Sequence, residues 1–167
     1  MSRAVLSIGS NEGDRLRTLQ SAVDAFRPWL TGVSPVVETP PWGPVPQGDY
    51  LNAILLVDDP SAEPSDWLIR AHAAEQAAGR VRTVRWGPRT LDVDIVMVLD
   101  AQGEVCSADA ELTLPHPRAA ERAFVLVPWL AAAAVATLGG TALAVLVAAL
   151  PPDEVAAIRA RPDLILT

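Results

Sequence analysis

The chain contains no lysine: its 13 basic residues are all arginine, against 20 acidic ones, for a net charge of −7 and an isoelectric point near 4.7. So acidic a balance argues against a nucleic-acid-binding protein, which needs a basic face to displace the counterions of the phosphate backbone. Cysteine is nearly absent as well. The lone Cys106 cannot form an internal disulfide, so a reducing cytoplasm is the expected compartment. Aromatic residues make up only 5% of the chain, and Tyr50 is the single tyrosine. Long apolar runs are scarce. Ala4 to Ile8 is too short for the apolar segment of a signal peptide and enters polar Gly9-Ser10-Asn11-Glu12. Ala123 to Pro152 carries no charged residue and is long enough to cross a bilayer. Pro128 and Gly139-Gly140 interrupt it, however, so two short buried helices joined by a Gly-Gly turn are expected there and no membrane span.

What is present is a chain of 167 residues, 50% of them hydrophobic, which suits a single domain (1–167) with a substantial core. Arg3 to Gly9 reads as a buried strand, because Val5, Leu6 and Ile8 do not alternate strictly. Gly9-Ser10-Asn11 lacks the G-K-[ST] ending of a Walker A loop and reads as a turn with a helix cap. An amphipathic helix follows from Asn11 to about Leu30, with Leu16, Leu19, Val23 and Phe26 on one face. Val33 to Glu38 reads as a second strand. Thr39 to Asp49, with four prolines and two glycines, reads as a loop. Tyr50 to Asp58 is a third strand, Ser65 to Ala78 a helix that Ser65 can cap, Arg80 to Thr90 a second long loop, and Leu91 to Leu99 a fourth strand. A hairpin around Gly103, a helix from about Ala119 and an Ala-rich helix after Gly140 complete the chain. The order β-α-β-β-α-β predicts an α+β fold with a ferredoxin-like antiparallel sheet, and its two long loops are candidate binding loops.

The most informative segment is Gly79 to Ile95, G-R-V-R-T-V-R-W-G-P-R-T-L-D-V-D-I. Arginine content alone says little here, since abundant Arg, Ala, Pro and Val together mark a GC-rich genome; its clustering says more. Arg80, Arg82, Arg85 and Arg89 run into Asp92 and Asp94. Guanidinium groups grip phosphate oxygens in a two-pronged way. Asp92 and Asp94, two apart on a predicted strand, leave the same face and suit Mg²⁺, a hard cation that takes carboxylates and phosphate oxygens together. A bare D-x-D is also compatible with two solvated charges at a strand's start, and an arginine run with a solvated loop. Their adjacency, beside the stiff Trp86-Gly87-Pro88 turn, favours an enzyme acting on a nucleoside triphosphate, since carboxylates facing phosphate need a cation between them. Arg122 is a further candidate phosphate ligand. His116, held between two prolines, is either a site residue or an ordinary surface or core histidine, and His72 reads as packing. Tyr50 and Asn52 suit a flat, hydrogen-bonding heterocycle, or else a core tyrosine and a strand-edge amide.

Taken together, S-I-G-S-N near the start, E-T-P-P-W-G…D-Y-L-N-A at 38 to 53, G-R-V-R…R-W-G-P-R-T-L-D-V-D-I at 79 to 95, and L-P-H-P-R…E-R-A-F-V-L-V-P at 114 to 128 resemble the 6-hydroxymethyl-7,8-dihydropterin pyrophosphokinases of folate biosynthesis. The resemblance covers most of the chain in the right order. It implies a three-layer α/β/α arrangement; the protein is further expected to be cytoplasmic and monomeric, without nucleic-acid or membrane partners. Such an enzyme moves the terminal two phosphates of ATP as a unit to the pterin's hydroxymethyl oxygen and releases AMP. It implies two Mg²⁺ ions held by Asp92 and Asp94, which with Arg80 and Arg89 form the catalytic set. Glu75, Arg82, Ile95, Thr113, His116 and Arg122 would contact ATP. Thr39, Pro40, Trp42, Tyr50, Asn52, Trp86 and Phe124 would contact the pterin, with the ring between Tyr50 and Phe124. The chain departs from common patterns of such enzymes at Ala119-Ala120 (a frequent Leu-His), His72 (Gln) and Thr83 (Lys in some members). A different Mg²⁺-dependent transferase would release ADP in place of AMP, and a ferredoxin-like regulatory module would need no aspartate pair at all.

Overall fold

The computed structural model describes residues 2–41, 46–79 and 90–167. The chain runs through β1 (Ser2–Ser10), α1 (Arg15–Phe26), β2 (Leu30–Val33), β3 (Val37–Thr39), β4 (Tyr50–Asp59), α2 (Pro64–Ala77), β5 (Asp92–Asp100) and β6 (Gly103–Glu104). A small hairpin of β7 (Ser107–Ala108) and β8 (Thr113–Leu114) follows, then α3 (Ala123–Ala132), the hairpin β9 (Thr137–Leu138) and β10 (Thr141–Ala142), α4 (Leu143–Ala149), α5 (Pro152–Ala156) and β11 (Arg159–Ala160). Among the described residues the main sheet has seven strands, in the order β11-β3-β4-β1-β5-β6 with β2 also on β4, and every pairing is antiparallel. β1 therefore lies between β4 and β5, the ferredoxin-like order that β-α-β-β-α-β predicts.

Period-two alternation distributes the strand residues between two cores. Leu6, Ile8, Leu51, Ala53, Leu55, Val93 and Ile95 face one way and pack with Leu19, Val23 and Phe26 of α1 and Trp67 and Ala71 of α2. Val5, Ile54 and Val96 face the other way, joined by Met97 where the β1–β5 register shifts by one residue, against Val125, Leu126 and Trp129 of α3 and Leu143 of α4. The sheet is thus the middle of three layers. Truncating a fully buried Leu6 or Leu126 in either core is expected to cost about 2–5 kcal/mol. The uncharged stretch 123–152 resolves into α3 and α4 around the β9–β10 hairpin, whose turn needs positive φ at Gly139 (58°) and Gly140 (76°). Among the described residues no helix is long and apolar enough to cross a membrane.

Several boundaries differ from the sequence reading. The strand expected over 33–38 is two strands, because Pro35 offers no amide to the ladder; Ser34 keeps contact by bonding Ile54 through both backbone and side chain. Gly9 and Ser10 end β1 and are not a turn, and α1 begins at Arg15, where Asp14 accepts from the Arg17 amide at 3.1 Å. α2 begins one residue before Ser65, with Pro64 in its first turn and a reciprocal cap between Glu63 and Asp66. A 3₁₀ turn, Ala119–Glu121, precedes α3. The hairpin at Gly103 is as expected. The loop expected over 80–90 lies almost wholly outside the described residues.

Candidate active site

The two faces of the sheet are covered unequally. α1 and α2 cover one face, whereas the α3 layer leaves the ends of β1, β4 and β5 open on the other. Register decides what is exposed there. Asn52 pairs with Gly9 and Gly9 with Asp92, so Asn52, Gly9 and Asp92 form one cross-strand row; Ile54, Ser7 and Asp94 form the next. Side chains in such rows share a face. A cavity of about 280 Å³ lies over them, lined by Ser7, Gly9, Asn52, Asp92 and Asp94 from the sheet, by Thr39, Pro40, Gln47 and Tyr50, and by His116, Arg122 and Phe124.

At one end sit the acids. Arg122 Nη1 donates to Asp94 Oδ2 at 3.0 Å, with 12% and 33% of the two side chains exposed. The same guanidinium lies 5.5 Å from the centre of the Phe124 ring, over its face. Asp94 opens to the cavity but is surrounded by protein. Burial first, and the like charge of Asp92 second, push its carboxyl above the ordinary range, against the opposing pull of Arg122 and His116. Burial pulls His116 below its ordinary value, with Asp94 acting in the opposite direction. Its Nδ1 accepts from the Arg118 amide at 3.1 Å, so the neutral ring carries its proton on Nε2. The His116 amide donates to Val96 O at 2.8 Å, which ties the segment to β5.

At the other end sits the amide of Asn52, 4% exposed. Its Nδ2 donates to Thr39 Oγ1 at 2.8 Å, so the amide oxygen faces away from Thr39. Tyr50 borders the cavity from the sheet and Phe124 from the start of α3. Two aromatic side chains and a buried amide lining one cavity suit a flat polar ring.

An acid pair, two aromatic rings and a buried amide thus line one cavity, and residues 5–134 match the family described as 7,8-dihydro-6-hydroxymethylpterin-pyrophosphokinase (HPPK). The chain belongs to this family. It is 53% identical over 136 residues to the 2-amino-4-hydroxy-6-hydroxymethyldihydropteridine pyrophosphokinase of Mycobacterium tuberculosis, covering 78% of this chain and 72% of that one. It is 38% identical over 159 residues to the protein so named from Methylorubrum extorquens, covering 93% of this chain and 98% of that one. Among solved structures, wild-type HPPK-DHPS of Plasmodium falciparum superposes with a TM-score of 0.64 at 12% identity, covering 88% of this chain and 44% of that chain. That likeness concerns the fold.

Of the residues that resemblance to the pyrophosphokinases singles out, Thr39, Pro40, Tyr50, Asn52, Asp92, Asp94, His116, Arg122 and Phe124 converge on the one cavity. Three do not line it. Ile95 points to the opposite face and packs in the core under α1 and α2. Glu75 is buried on that side too, and its Oε1 accepts from the Val93 amide at 3.0 Å, so it holds the peptide between the two aspartates. Thr113 is exposed on β8, its hydroxyl bonded to Asp109 O at 2.8 Å. Trp42, Arg80, Arg82, Trp86 and Arg89 lie outside the described residues. Sequence reasoning missed Ser7, Gly9 and Gln47. The first two, small and two apart on a strand, carried a signal once their face was known; Gln47 carried none.

Proposed function

We propose that this cavity is where the β-phosphorus of ATP meets the hydroxymethyl oxygen of 6-hydroxymethyl-7,8-dihydropterin. As a member of the pyrophosphokinase family, the chain transfers pyrophosphate from ATP to that hydroxymethyl group, giving AMP and the pterin diphosphate in folate biosynthesis. The convergence of Asp92, Asp94 and Arg122 with Tyr50 and Asn52 on one pocket carries the assignment of the site.

The donor set fits Mg²⁺. Two carboxylates share a face, and among the described residues no cluster of three or more His, Cys, Asp and Glu forms an all-protein cage. Mg²⁺ is commonly bound by one or two carboxylates plus phosphate oxygens and water. Asp92 and Asp94 would hold it, and we assign two ions to the pair, as in the resemblance. When bound, the metal neutralises triphosphate charge and lowers the pKa of the attacking hydroxyl.

Transfer requires the hydroxymethyl oxygen to form a bond to the β-phosphorus while the bond from that phosphorus to the α,β-bridging oxygen breaks and AMP departs. Catalysis in such a reaction is largely positioning and charge stabilisation. Arg122, placed by Asp94 at the edge of the cavity, supplies a fixed positive charge to the triphosphate. His116 offers Nε2–H to a phosphate oxygen, and as a neutral donor it needs no proton from solvent. Tyr50 and Phe124 hold the ring between them, and Asn52 reads its polar edge. We assign phosphate contacts to Arg80, Arg82 and Arg89 and ring contacts to Trp42 and Trp86. Glu75 and Ile95 would act on the nucleotide only through β5, Glu75 by fixing its backbone. We further infer a monomeric enzyme acting in the cytoplasm.

The test is a product assay. After removal of divalent ions, the protein is incubated with ATP and the pterin alcohol while Mg²⁺ is added back. AMP in equal amount to pterin diphosphate, rising with Mg²⁺, is expected. ADP as the nucleotide product, or turnover indifferent to chelation, would overturn this account of the site.

A further inference from the structure

Residues 135–167 lie beyond the stretch that the family model matches, and their strand β11 returns to β3, the strand that leads into the wall of the cavity. β11 adds to the sheet's edge, with Arg159 opposite Glu38 and Ala160 opposite Val37. The Arg161 amide donates to Val36 O at 3.0 Å and secures the register. That register delivers two guanidinium groups to one carboxylate. Arg161 Nη1 donates to Glu38 Oε2 at 2.7 Å, and Arg159 Nη2 lies 3.6 Å from the same oxygen. Arg159 also pairs with Asp49 Oδ2 at 2.5 Å.

From the other side Arg15 of α1 makes a matching bridge. Its Nη1 donates to Glu38 Oε1 at 2.8 Å and to the carbonyl of Asp49 at 2.8 Å. Glu38 is thus held at both oxygens, and Asp49 at both backbone and side chain. These two residues directly precede Thr39 and Tyr50, which pair with one another across β3 and β4 and line the cavity. Glu38 is only 15% exposed, and Arg15 and Arg161 28–29%. Ion pairs in such a setting are screened less than open surface pairs, and a network constrains geometry more than one contact does.

We infer that Arg159 and Arg161 of the C-terminal segment, together with Arg15, are positioning residues for the pterin end of the cavity, acting through Glu38 and Asp49 to fix Thr39 and Tyr50. The inference rests on the assignment of Tyr50 and Asn52 to the pterin. When Thr39 and Tyr50 are not held in place, binding of the ring must order them, and that cost falls on affinity for the ring. None of the three arginines lines the cavity; they hold Glu38 and Asp49, which adjoin Thr39 and Tyr50, so their removal is expected to act on the pterin and not on ATP.

The experiment measures KM for each substrate, kcat and Tm in the full-length protein. In R159A/R161A the pterin KM is expected to rise on the order of tenfold, with ATP KM and saturated kcat close to wild type. R27A is the control: it cuts the contact of Arg27 with Thr167 O, which tethers the same tail elsewhere, and is expected to keep the wild-type pterin KM. A wild-type pterin KM in R159A/R161A, whatever its Tm, or an equal rise in ATP KM, would overturn the inference. Should the double variant not fold, R159A alone, at a side chain 56% exposed, reads the Asp49 contact with the same expected split. N52A separates the two levels: an unchanged pterin KM there would refute the subsite itself, whereas a raised one beside an unaffected R159A/R161A would refute only the role of the tail.

Discussion

Asn52 and Thr39 are diagonal neighbours on adjacent strands, and the 2.8 Å bond from Asn52 Nδ2 to Thr39 Oγ1 decides which end of the amide turns toward Gly9. A Cβ built on Gly9 would stand 2.7 Å from Asn52 Oδ1, closer than such atoms approach. Gly9 thus clears the space that this amide orientation requires, in the same row that carries Asp92.

Adding a methyl group at this position is therefore expected to displace the amide rather than the fold. G9A should raise the pterin KM on the order of tenfold, with a smaller change in the KM for ATP. Steady-state kinetics with each substrate varied in turn checks it, and equal changes in both constants would show that the site as a whole had moved.

Replacing Thr39 by valine keeps the shape but leaves a buried amide donor unpaired. Stability is expected to fall by about 1–3 kcal/mol, read from denaturant midpoints at constant m-value. T39S, which restores an acceptor, is expected to recover most of it.

Removing either acid should abolish function while the fold persists. D92A and D94A are each expected to lose several kcal/mol of transition-state stabilisation, roughly 10²–10³-fold or more in kcat/KM. Far-ultraviolet circular dichroism would confirm folding. Normal turnover by D92A would eliminate the metal-holding assignment.

Arg122 contributes geometry as well as charge, lying between Asp94 and the face of Phe124. R122K is expected to recover only part of the ATP affinity lost in R122A, because an ammonium cannot bond Asp94 and stack on a ring in the same way. Full recovery by lysine would mean that charge alone suffices.

A pH effect on stability arises far from the cavity. At the other end of β4 the Ser61 hydroxyl and amide, followed by Arg70, lower the Asp59 carboxyl from 3.8 to about 2. The same guanidinium stacks 3.7 Å from the centre of the Trp29 ring. Because the folded value lies below the unfolded one, the stabilisation is complete above about pH 4 and is lost as pH falls from there toward 2. Unfolding free energies measured across that window should drop more steeply for wild type than for D59N.

Much of this was legible before any coordinates. The D-x-D spacing puts Asp92 and Asp94 on one face in any strand, and the β-α-β-β-α-β order implies β1 at the centre of the sheet. The same parity rule places Ile95 opposite Asp94, so its burial under α1 and α2 follows from spacing that the family resemblance overrode. Proline explains the division of the second strand, since Pro35 lacks a donor. Other features had no local signal. The bond from Val93 N to Glu75 joins residues 18 apart, and that from Arg161 to Glu38 residues 123 apart.

Sequence by itself determined periodicity, composition and motif: which residues alternate, which turns need glycine, and which arginines and acids are neighbours along the chain. These follow from backbone sterics and from chemistry carried within a few residues. Only the tertiary structure decided that the α3 layer stops short of the ends of β1, β4 and β5, so that Asn52, Gly9 and Asp92 form the floor of a cavity and not part of a core. Likewise only the folded chain brings β11 onto β3, because the pairing of distant strands depends on where both cores have already placed them.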